Sequence, residues 1–288
     1  MKEITPFKAD LILVAVAFIW GTSYVVVKSS IDILEPMQIA FIRFFIASIL
    51  SLILYGKNIK TAAKNEAKAG IILGLVLSFG LYFSLTGIKY TTVSKNSFII
   101  STNVIIVPFL HWAIYKKRPS SMSIIAVFLM AVGLGFLTLD FSGDFEINIG
   151  DVISFGCVFF LALHIILVDN YSKKYNPAIL NSIAMITIAV LSAGFLLITG
   201  NFKFAISGDI LFPMLYLGVF PTFLCYTLQV YAQKHTIATH AAIIISLESV
   251  FATILAVIFL KEDISLRMIA GFIFIFISVL ISKKCSKT

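Results

Sequence analysis

Charged residues are scarce in this chain. They make up 12% of its 288 residues, whereas 60% of the residues are hydrophobic. An average soluble domain has about a quarter charged residues, so this composition excludes a disordered chain and argues against a soluble enzyme. The apolar runs are long and continuous rather than alternating, which excludes an outer-membrane β-barrel. We therefore predict an all-α polytopic membrane protein.

Cysteine is nearly absent, and the motifs of soluble enzymes are missing. Cys157, Cys225 and Cys285 lie far apart, with no spacing that fits zinc or a redox pair, and their odd number argues against a disulfide framework. The chain contains no His-Glu-x-x-His, Gly-x-Ser-x-Gly, Walker or Gly-x-Gly-x-x-Gly motif. We predict no catalytic residue, no metal and no cofactor, and we expect any transport to be driven by gradients rather than by ATP hydrolysis.

Ten apolar segments approach the length of about 20 residues that a membrane-spanning helix needs. They lie at 10–28, 36–55, 69–88, 95–115, 120–139, 150–168, 177–198, 209–231, 239–260 and 265–282. The first of them follows Lys2 and Lys8, as a signal peptide would, but it ends in Tyr24 and three valines rather than in a small-residue cleavage site. We therefore predict that it is retained as the first of ten transmembrane helices.

The basic residues are distributed unequally between the two ends of these helices. With the N-terminus placed in the cytoplasm, fifteen of the 22 Lys and Arg residues fall on the inner side, and Arg43 lies within a span. The six on the outer side are Lys28, Lys89, Lys95, Lys203, Lys261 and Arg267. Basic residues accumulate in cytoplasmic loops. The distribution of basic residues therefore predicts a plasma-membrane protein with both termini in the cytoplasm. The net charge of +8 does not indicate nucleic-acid binding.

The two halves of the chain resemble each other. At an offset of 141, Asp10 matches Asp151 and Pro36 matches Pro177; at an offset of 145, the segment 99–101 matches 244–246. These matches keep their order and align helix with helix, which predicts two five-helix repeats, residues 1–143 and 144–288. Because five is odd, the second repeat would be inverted relative to the first. Inverted repeats build many transporters, with the substrate site near the midplane at the repeat interface.

Several short motifs resemble the drug/metabolite transporter superfamily, of the EamA type. They are Trp20–Tyr24 followed by Lys28, Arg43-Phe44, Tyr90–Lys95, Ser246-Leu247-Glu248, and Leu260-Lys261-Glu262. The resemblance covers nearly the whole chain, although Ser249 stands where the family often has proline and Lys116–Arg118 where it often has an acidic residue. It implies a ten-helix carrier that works by alternating access and commonly exports amino acids or similar metabolites.

Glu248 is the strongest candidate for a functional residue. It lies midway along the ninth span, where a charge costs roughly 2.5–3.5 kcal/mol even on the lenient insertion scale. It therefore has to face protein or water, be paired, or be protonated. We predict that it binds a substrate amine or a proton, the alternative being a structural hydrogen bond to a neighbouring helix. Its counterpart at the offset of 145 is Asn103, which is also polar and also lies within a span.

Five further residues complete the predicted substrate site. Aromatic side chains with polar tips suit amphipathic substrates, and a deep amide adds a hydrogen bond. These residues are Trp20, Tyr82, His164, Tyr226 and Gln229. For Arg43 we expect a structural role instead, either reaching the outer surface or pairing with Glu35 or Asp32.

The sequence thus predicts a secondary transporter that exports a small metabolite such as an amino acid or an amphipathic compound. Its partners would be that solute, the lipid bilayer, and a coupling ion or proton. The alternatives left open are a channel, a lipid flippase and an intramembrane enzyme. The enzyme has the least support, because only scattered His and Ser residues are seen.

Overall fold

A computed structural model describes residues 4–138, 148–203, 208–260 and 266–285, and all of its regular elements are helices. The predicted boundary between the repeats, at residues 143 and 144, lies outside these ranges. So does Lys261, which the charge distribution used. The ten predicted helices are confirmed. Within the described ranges nine are long and apolar enough to cross a bilayer, and Ser121–Phe136 is a shorter apolar helix.

The first half contains helices α1 to α5. Their bounds are Pro6–Ser30 for α1, Pro36–Lys60 for α2, Lys64–Tyr90 for α3, Val93–Ser101 continued by Asn103–Tyr115 for α4, and Ser121–Thr138 for α5. Several ends extend beyond the predicted spans. Helix α2 runs about one turn further, to Lys60, because basic residues at a helix C-terminus favour the helix dipole and remain in water.

The second half contains helices α6 to α10. Helices α6 and α7 span Ile149–Ser172 and Pro177–Ile198. Helix α8 comprises Gly208–Leu217, a π-helical segment Gly218–Leu224, and Cys225–Gln233; α9 comprises Ala238–Ile245 and Leu247–Leu260; α10 is Leu266–Cys285.

Helices α4 and α9, predicted as continuous, are each interrupted near the middle. The interruptions fall at Thr102 and Ser246. Neither involves proline or glycine. Instead, the hydroxyl of Thr102 donates to the Ile99 carbonyl (2.6 Å) and that of Ser246 donates to the Ala242 carbonyl (2.9 Å). Side chains of this kind compete with the backbone for hydrogen bonds and bend helices.

The helix contacts are compatible with a two-fold relation between the halves. Helix α1 packs against α9 as α6 packs against α4, and α1 contacts α8 as α6 contacts α3. Helix α2 packs against its own equivalent α7, and α5 packs against its own equivalent α10, so exchanging the two halves leaves these contacts unchanged. This pattern is what a two-fold exchange of the halves gives, and the inverted orientation of the second repeat stays a prediction.

The broken helices α4 and α9 cross at serine residues. The Ser101 and Ser249 hydroxyls are 2.6 Å apart, and Ser249 Oγ also lies 2.9 Å from the Ser97 carbonyl oxygen, to which it donates. Ser246 Oγ lies 3.4 Å from the Ser101 carbonyl oxygen. Ser101 and Ser246 occupy equivalent positions in the two repeats. This serine crossing therefore lies close to the axis of the two-fold relation between the halves.

Gly21 allows α1 to approach α9 closely. A Cβ atom at this position would lie 2.7 Å from Cβ of Phe251 and 3.0 Å from the carbonyl oxygen of Glu248. A small residue at a transmembrane crossing permits such contact. The absence of a side chain at Gly21 therefore helps to position Glu248 beside α1.

Candidate functional site

A cavity lies between the two halves, at the level of the breaks in α4 and α9. About 100 Å³ of its space is accessible to the centre of a water molecule. A single water needs roughly 10–15 Å³ on that measure, so the cavity has room for several waters or a small solute. Helices α1, α3, α4, α6, α8 and α9 line it, and α2 contributes Arg43.

The structure places six of the seven predicted site residues on this cavity. They are Trp20, Asn103, His164, Tyr226, Gln229 and Glu248. They come from five different helices of both halves, so their convergence depends on the tertiary fold.

Tyr82 lies outside the cavity. Its side chain is 37% exposed, and its ring packs against Phe83 and Phe195, with centroids 5.6 and 6.0 Å away. The neighbouring residue Leu81 lines the cavity instead. Successive residues point about 100° apart around a helix, so one position along α3 decides which face a side chain occupies.

Glu248 is held at the start of the second segment of α9. Its side chain is only 6% exposed, and its Oε1 accepts a hydrogen bond from the Tyr24 hydroxyl at 3.2 Å. Among the described residues, no Lys, Arg or His lies within ion-pair distance of its carboxylate. A buried carboxyl with one neutral partner has unused hydrogen-bonding capacity, which a ligand can use.

Arg43 turns inward rather than toward the surface or toward Glu35 and Asp32. Its side chain is 5% exposed, and its Nε donates to Thr222 Oγ1 at 3.0 Å. Glu35 is paired instead with Lys89, at 2.8 Å. Within the described part of the chain Arg43 has no acidic partner, so both expectations for it were wrong.

Three amides on the cavity have buried oxygens that accept no hydrogen bond from any described group. They are Asn96 Oδ1, Asn103 Oδ1 and Gln229 Oε1. The orientations of the asparagines are fixed, because Asn103 Nδ2 donates to the Ile100 carbonyl (2.9 Å) and Asn96 Nδ2 to Ser154 Oγ (2.8 Å). Buried polar atoms without partners are costly. A ligand rich in N–H or O–H donors would suit this site.

An aromatic wall faces these polar groups. The rings of Trp20 and Tyr226 lie 5.1 Å apart, and His164 meets Tyr226 edge to face at 6.2 Å. Trp20 Nε1 donates to the carbonyl of Pro221 at 2.8 Å, inside the π-helical segment of α8. The Pro221 carbonyl thus fixes the orientation of the indole.

Sequence reasoning missed Tyr24, Ser23 and Asn96, all of which line the cavity. A signal was present for each. Ser23 and Tyr24 lie three and four residues after Trp20, and Asn96 lies seven residues before Asn103, spacings that place side chains on one helix face.

Repeat-equivalent positions supply much of the lining. Ser23 corresponds to His164 at the offset of 141, while Leu81 corresponds to Tyr226, Ser84 to Gln229 and Asn103 to Glu248 at the offset of 145. The cavity is therefore built by both halves from the same backbone positions, but with different side chains.

Two segments that correspond to these halves match a known family. The sequence profile of the EamA-like transporter family matches residues 7–139 and 148–283. The chain belongs to the EamA-like transporter family.

Curated relatives of this EamA-like transporter are named only as uncharacterized transporters. One from Archaeoglobus fulgidus is 34% identical over 95% of this chain and 85% of its own length. A second from that organism is 25% identical over 88% of this chain and 90% of its own length. Uncharacterized transporter YoaV of Bacillus subtilis is 29% identical over 58% of this chain and 57% of its own length. These names agree with a transporter and specify no substrate.

A solved crystal structure has the same fold. It aligns with a TM-score of 0.78 over 97% of this chain and 98% of its own, at 13% identity. Among the described residues of this EamA-like transporter, no group of three His, Cys, Asp or Glu side chains is placed to hold a metal ion.

Proposed function

We propose that this EamA-like transporter is a secondary carrier that exports a small metabolite bearing an amino group, such as an amino acid, by alternating access. The solute would occupy the cavity between the halves. The substrate-binding residues would be Glu248, Asn103, Trp20, His164, Tyr226 and Gln229, joined by Tyr24 and Arg43. Tyr82 is omitted because it lies away from the cavity.

The observation that carries this proposal is a buried carboxyl group and a buried guanidinium group on one cavity. Glu248 and Arg43 both line it, and neither is ion-paired within the described ranges. Buried charges without partners are expensive, and a charged group of opposite sign relieves the cost. An amino acid carries an ammonium group for Glu248 and a carboxylate for Arg43, and its side chain would meet the Trp20–Tyr226 wall.

The orientation in the plasma membrane follows from the distribution of basic residues. Lys57, Lys60, Lys64 and Lys68 lie at the α2–α3 connection, which would face the cytoplasm together with both termini. In that orientation the substrate would be loaded from the cytoplasm and released outside. Coupling to an ion or a proton would add to the driving force.

The direct test is transport by purified protein in proteoliposomes. We expect uptake of a labelled amino acid to be accelerated when unlabelled amino acid is preloaded on the opposite side, because a carrier returns faster when loaded. A panel of metabolites should also raise the apparent Tm in detergent when a member binds the folded state. Folded protein that moves no solute from such a panel would refute the proposal.

The same assay separates the alternatives. A channel would show rapid flux without acceleration by preloaded solute, and a lipid flippase would translocate fluorescent lipid but no soluble solute. An intramembrane enzyme would convert a lipid or peptide, and that activity should then depend on His164 or His240. Counter-transport of a soluble amine separates a carrier from all three.

A further inference from the structure

Two contacts between an acidic and a basic side chain occupy equivalent places in the two repeats. Asp10 on α1 meets His240 on α9, and Asp151 on α6 meets Lys95 on α4. Asp10 corresponds to Asp151 at the offset of 141, and Lys95 corresponds to His240 at the offset of 145. The pairs therefore link equivalent helices at opposite ends of the bundle, here named the Asp10 end and the Asp151 end.

The pair at the Asp10 end is tightly made. Asp10 Oδ1 lies 3.0 Å from His240 Nε2, and the other ring nitrogen of His240 lies 2.7 Å from Ser282 Oγ on α10. Lys283 Nζ lies 3.8 Å from the second Asp10 oxygen. The His240 side chain is 1% exposed. Three helices, α1, α9 and α10, are thus joined at this end.

The pair at the Asp151 end is looser. Lys95 Nζ lies 3.8 Å from Asp151 Oδ2, and the Lys95 side chain is 38% exposed. The other oxygen, Asp151 Oδ1, accepts a hydrogen bond from Thr91 Oγ1 at 2.5 Å. The ion pair between α4 and α6 is therefore longer and more exposed than the equivalent contact between α1 and α9, although Asn96 Nδ2 also joins α4 to α6 by donating to Ser154 Oγ at 2.8 Å.

The cavity also differs between the Asp10 end and the Asp151 end. Toward the Asp151 end it is lined by Val27, Leu85, Ile88 and Asn96. Their repeat equivalents Val168, Val230, Gln233 and Ala241 do not line it, although the residues of both sets are at most 4% exposed. The cavity thus extends further toward the Asp151 end than toward the Asp10 end.

We infer that the two pairs are equivalent latches that close opposite ends of the cavity in alternation. The Asp10–His240 latch holds the Asp10 end shut while the Asp151 end opens, and the Asp151–Lys95 latch holds the Asp151 end shut while the Asp10 end opens. This inference rests on the proposed carrier function. It adds a role for four residues, none of which lines the cavity.

The test measures which side of the membrane can reach the cavity. A single cysteine replaces Ser84 on the cavity wall, in a background in which Cys157, Cys225 and Cys285 are replaced by alanine. A membrane-impermeant thiol reagent is applied to one side of oriented vesicles at a time. The ratio of the two labelling rates then reports the balance between the two open states and requires no substrate.

The latch variants should shift this ratio in opposite directions. Asp10→Asn weakens the latch at the Asp10 end and should raise labelling from that side relative to the other by about fivefold, which corresponds to about 1 kcal/mol. Asp151→Asn should change the ratio by a similar factor in the opposite sense. His240→Gln and Lys95→Gln test the same latches through the partner residues, should either aspartate variant fold poorly.

Glu35→Gln serves as the matched control. It removes a carboxylate from the exposed Lys89–Glu35 pair, which links α2 and α3 and is not one of the latches. Its labelling ratio should remain that of the parent protein. Shifts of the same sign, or no shift, in folded variants of both latches would overturn the inference. Because the readout is accessibility, it is independent of transport: failed transport with opposite shifts would refute only the carrier proposal.

Discussion

The two halves of the molecule share a backbone plan but supply different chemistry to the cavity. On the first-half side, the positions equivalent to Glu248, His164, Tyr226 and Gln229 are occupied by Asn103, Ser23, Leu81 and Ser84. At these four positions the second half thus contributes an acid, an imidazole and larger hydrogen-bonding side chains, whereas the first half contributes Trp20, Tyr24 and Arg43 to the cavity. A symmetric scaffold can alternate between two equivalent conformations, whereas a solute with two different ends requires an asymmetric site. In the proposed carrier, the shared backbone plan would allow the alternation, and the side chains that differ between the halves would recognise the solute.

The largest effect is expected when the acid of the second half is removed. Glu248→Gln keeps the shape of the side chain but removes its negative charge, so the initial transport rate should fall at least roughly tenfold, about 1.4 kcal/mol. Asn103→Leu, at the equivalent position of the first half, removes one neutral hydrogen-bonding group and should cost roughly threefold. Arg43→Lys, which keeps a positive charge, should also cost less than Glu248→Gln. Proteoliposome uptake measures all three, and wild-type activity of Glu248→Gln at every pH would contradict the assignment.

The next comparison concerns packing rather than recognition. Gly21 faces Phe251 and the Glu248 carbonyl, whereas its repeat equivalent is Ala162. Gly21→Ala should destabilise the fold by about 1 kcal/mol or more, because the new methyl group overlaps α9. Gly194→Ala meets nothing within 4 Å and is the control. The apparent Tm in detergent should fall for the first variant only, and equal Tm values would argue against a tight α1–α9 contact.

A smaller effect is expected for the aromatic wall. Trp20 corresponds to Leu161 in the second half, so Trp20→Leu makes the two halves alike at this position. It removes the hydrogen bond to Pro221 and the contact with Tyr226, and it should raise KM roughly threefold with little change in maximal rate. Trp112→Leu makes the same substitution at an exposed tryptophan on α4 that does not line the cavity. Transport kinetics that respond equally to both would exclude a specific role for Trp20.

The smallest effect distinguishes two tyrosines. Tyr226→Phe removes a hydroxyl at the cavity and should lower the transport rate about twofold. Tyr82→Phe removes a hydroxyl outside it and should leave the rate unchanged. Uptake by matched amounts of reconstituted protein measures both rates. A larger loss for Tyr82→Phe than for Tyr226→Phe would contradict the assignment of Tyr226, rather than Tyr82, to the substrate site.

Much of the fold was predictable because long apolar runs leave few alternatives in a bilayer. The breaks at Thr102 and Ser246 were not, since hydropathy averages over about 20 residues and neither break carries proline or glycine. At each break a hydroxyl donates to a preceding carbonyl, and both breaks lie where α4 crosses α9.

The site was predictable where charge or repeat position identified a residue. Glu248 stood out because an acid within a span is costly, and Asn103 followed from the offset of 145. The direction in which Arg43 and Tyr82 point was not predictable, because one sequence does not fix the rotation of a helix about its axis. Arg43 turned inward to Thr222, and Tyr82 turned outward to Phe195.

In the proposed carrier, the serine crossing of α4 and α9 would be the pivot between two arms of equal length. Lys95 precedes Ser101 by six residues and His240 precedes Ser246 by six, which gives two arms of ~9 Å at the rise of an α-helix. With equal arms, tilting about the crossing widens one end by as much as it narrows the other. The hydroxyl of Ser249 donates to the Ser97 carbonyl oxygen and lies 2.6 Å from the Ser101 hydroxyl, so it would keep a partner on α4 if the helices tilted.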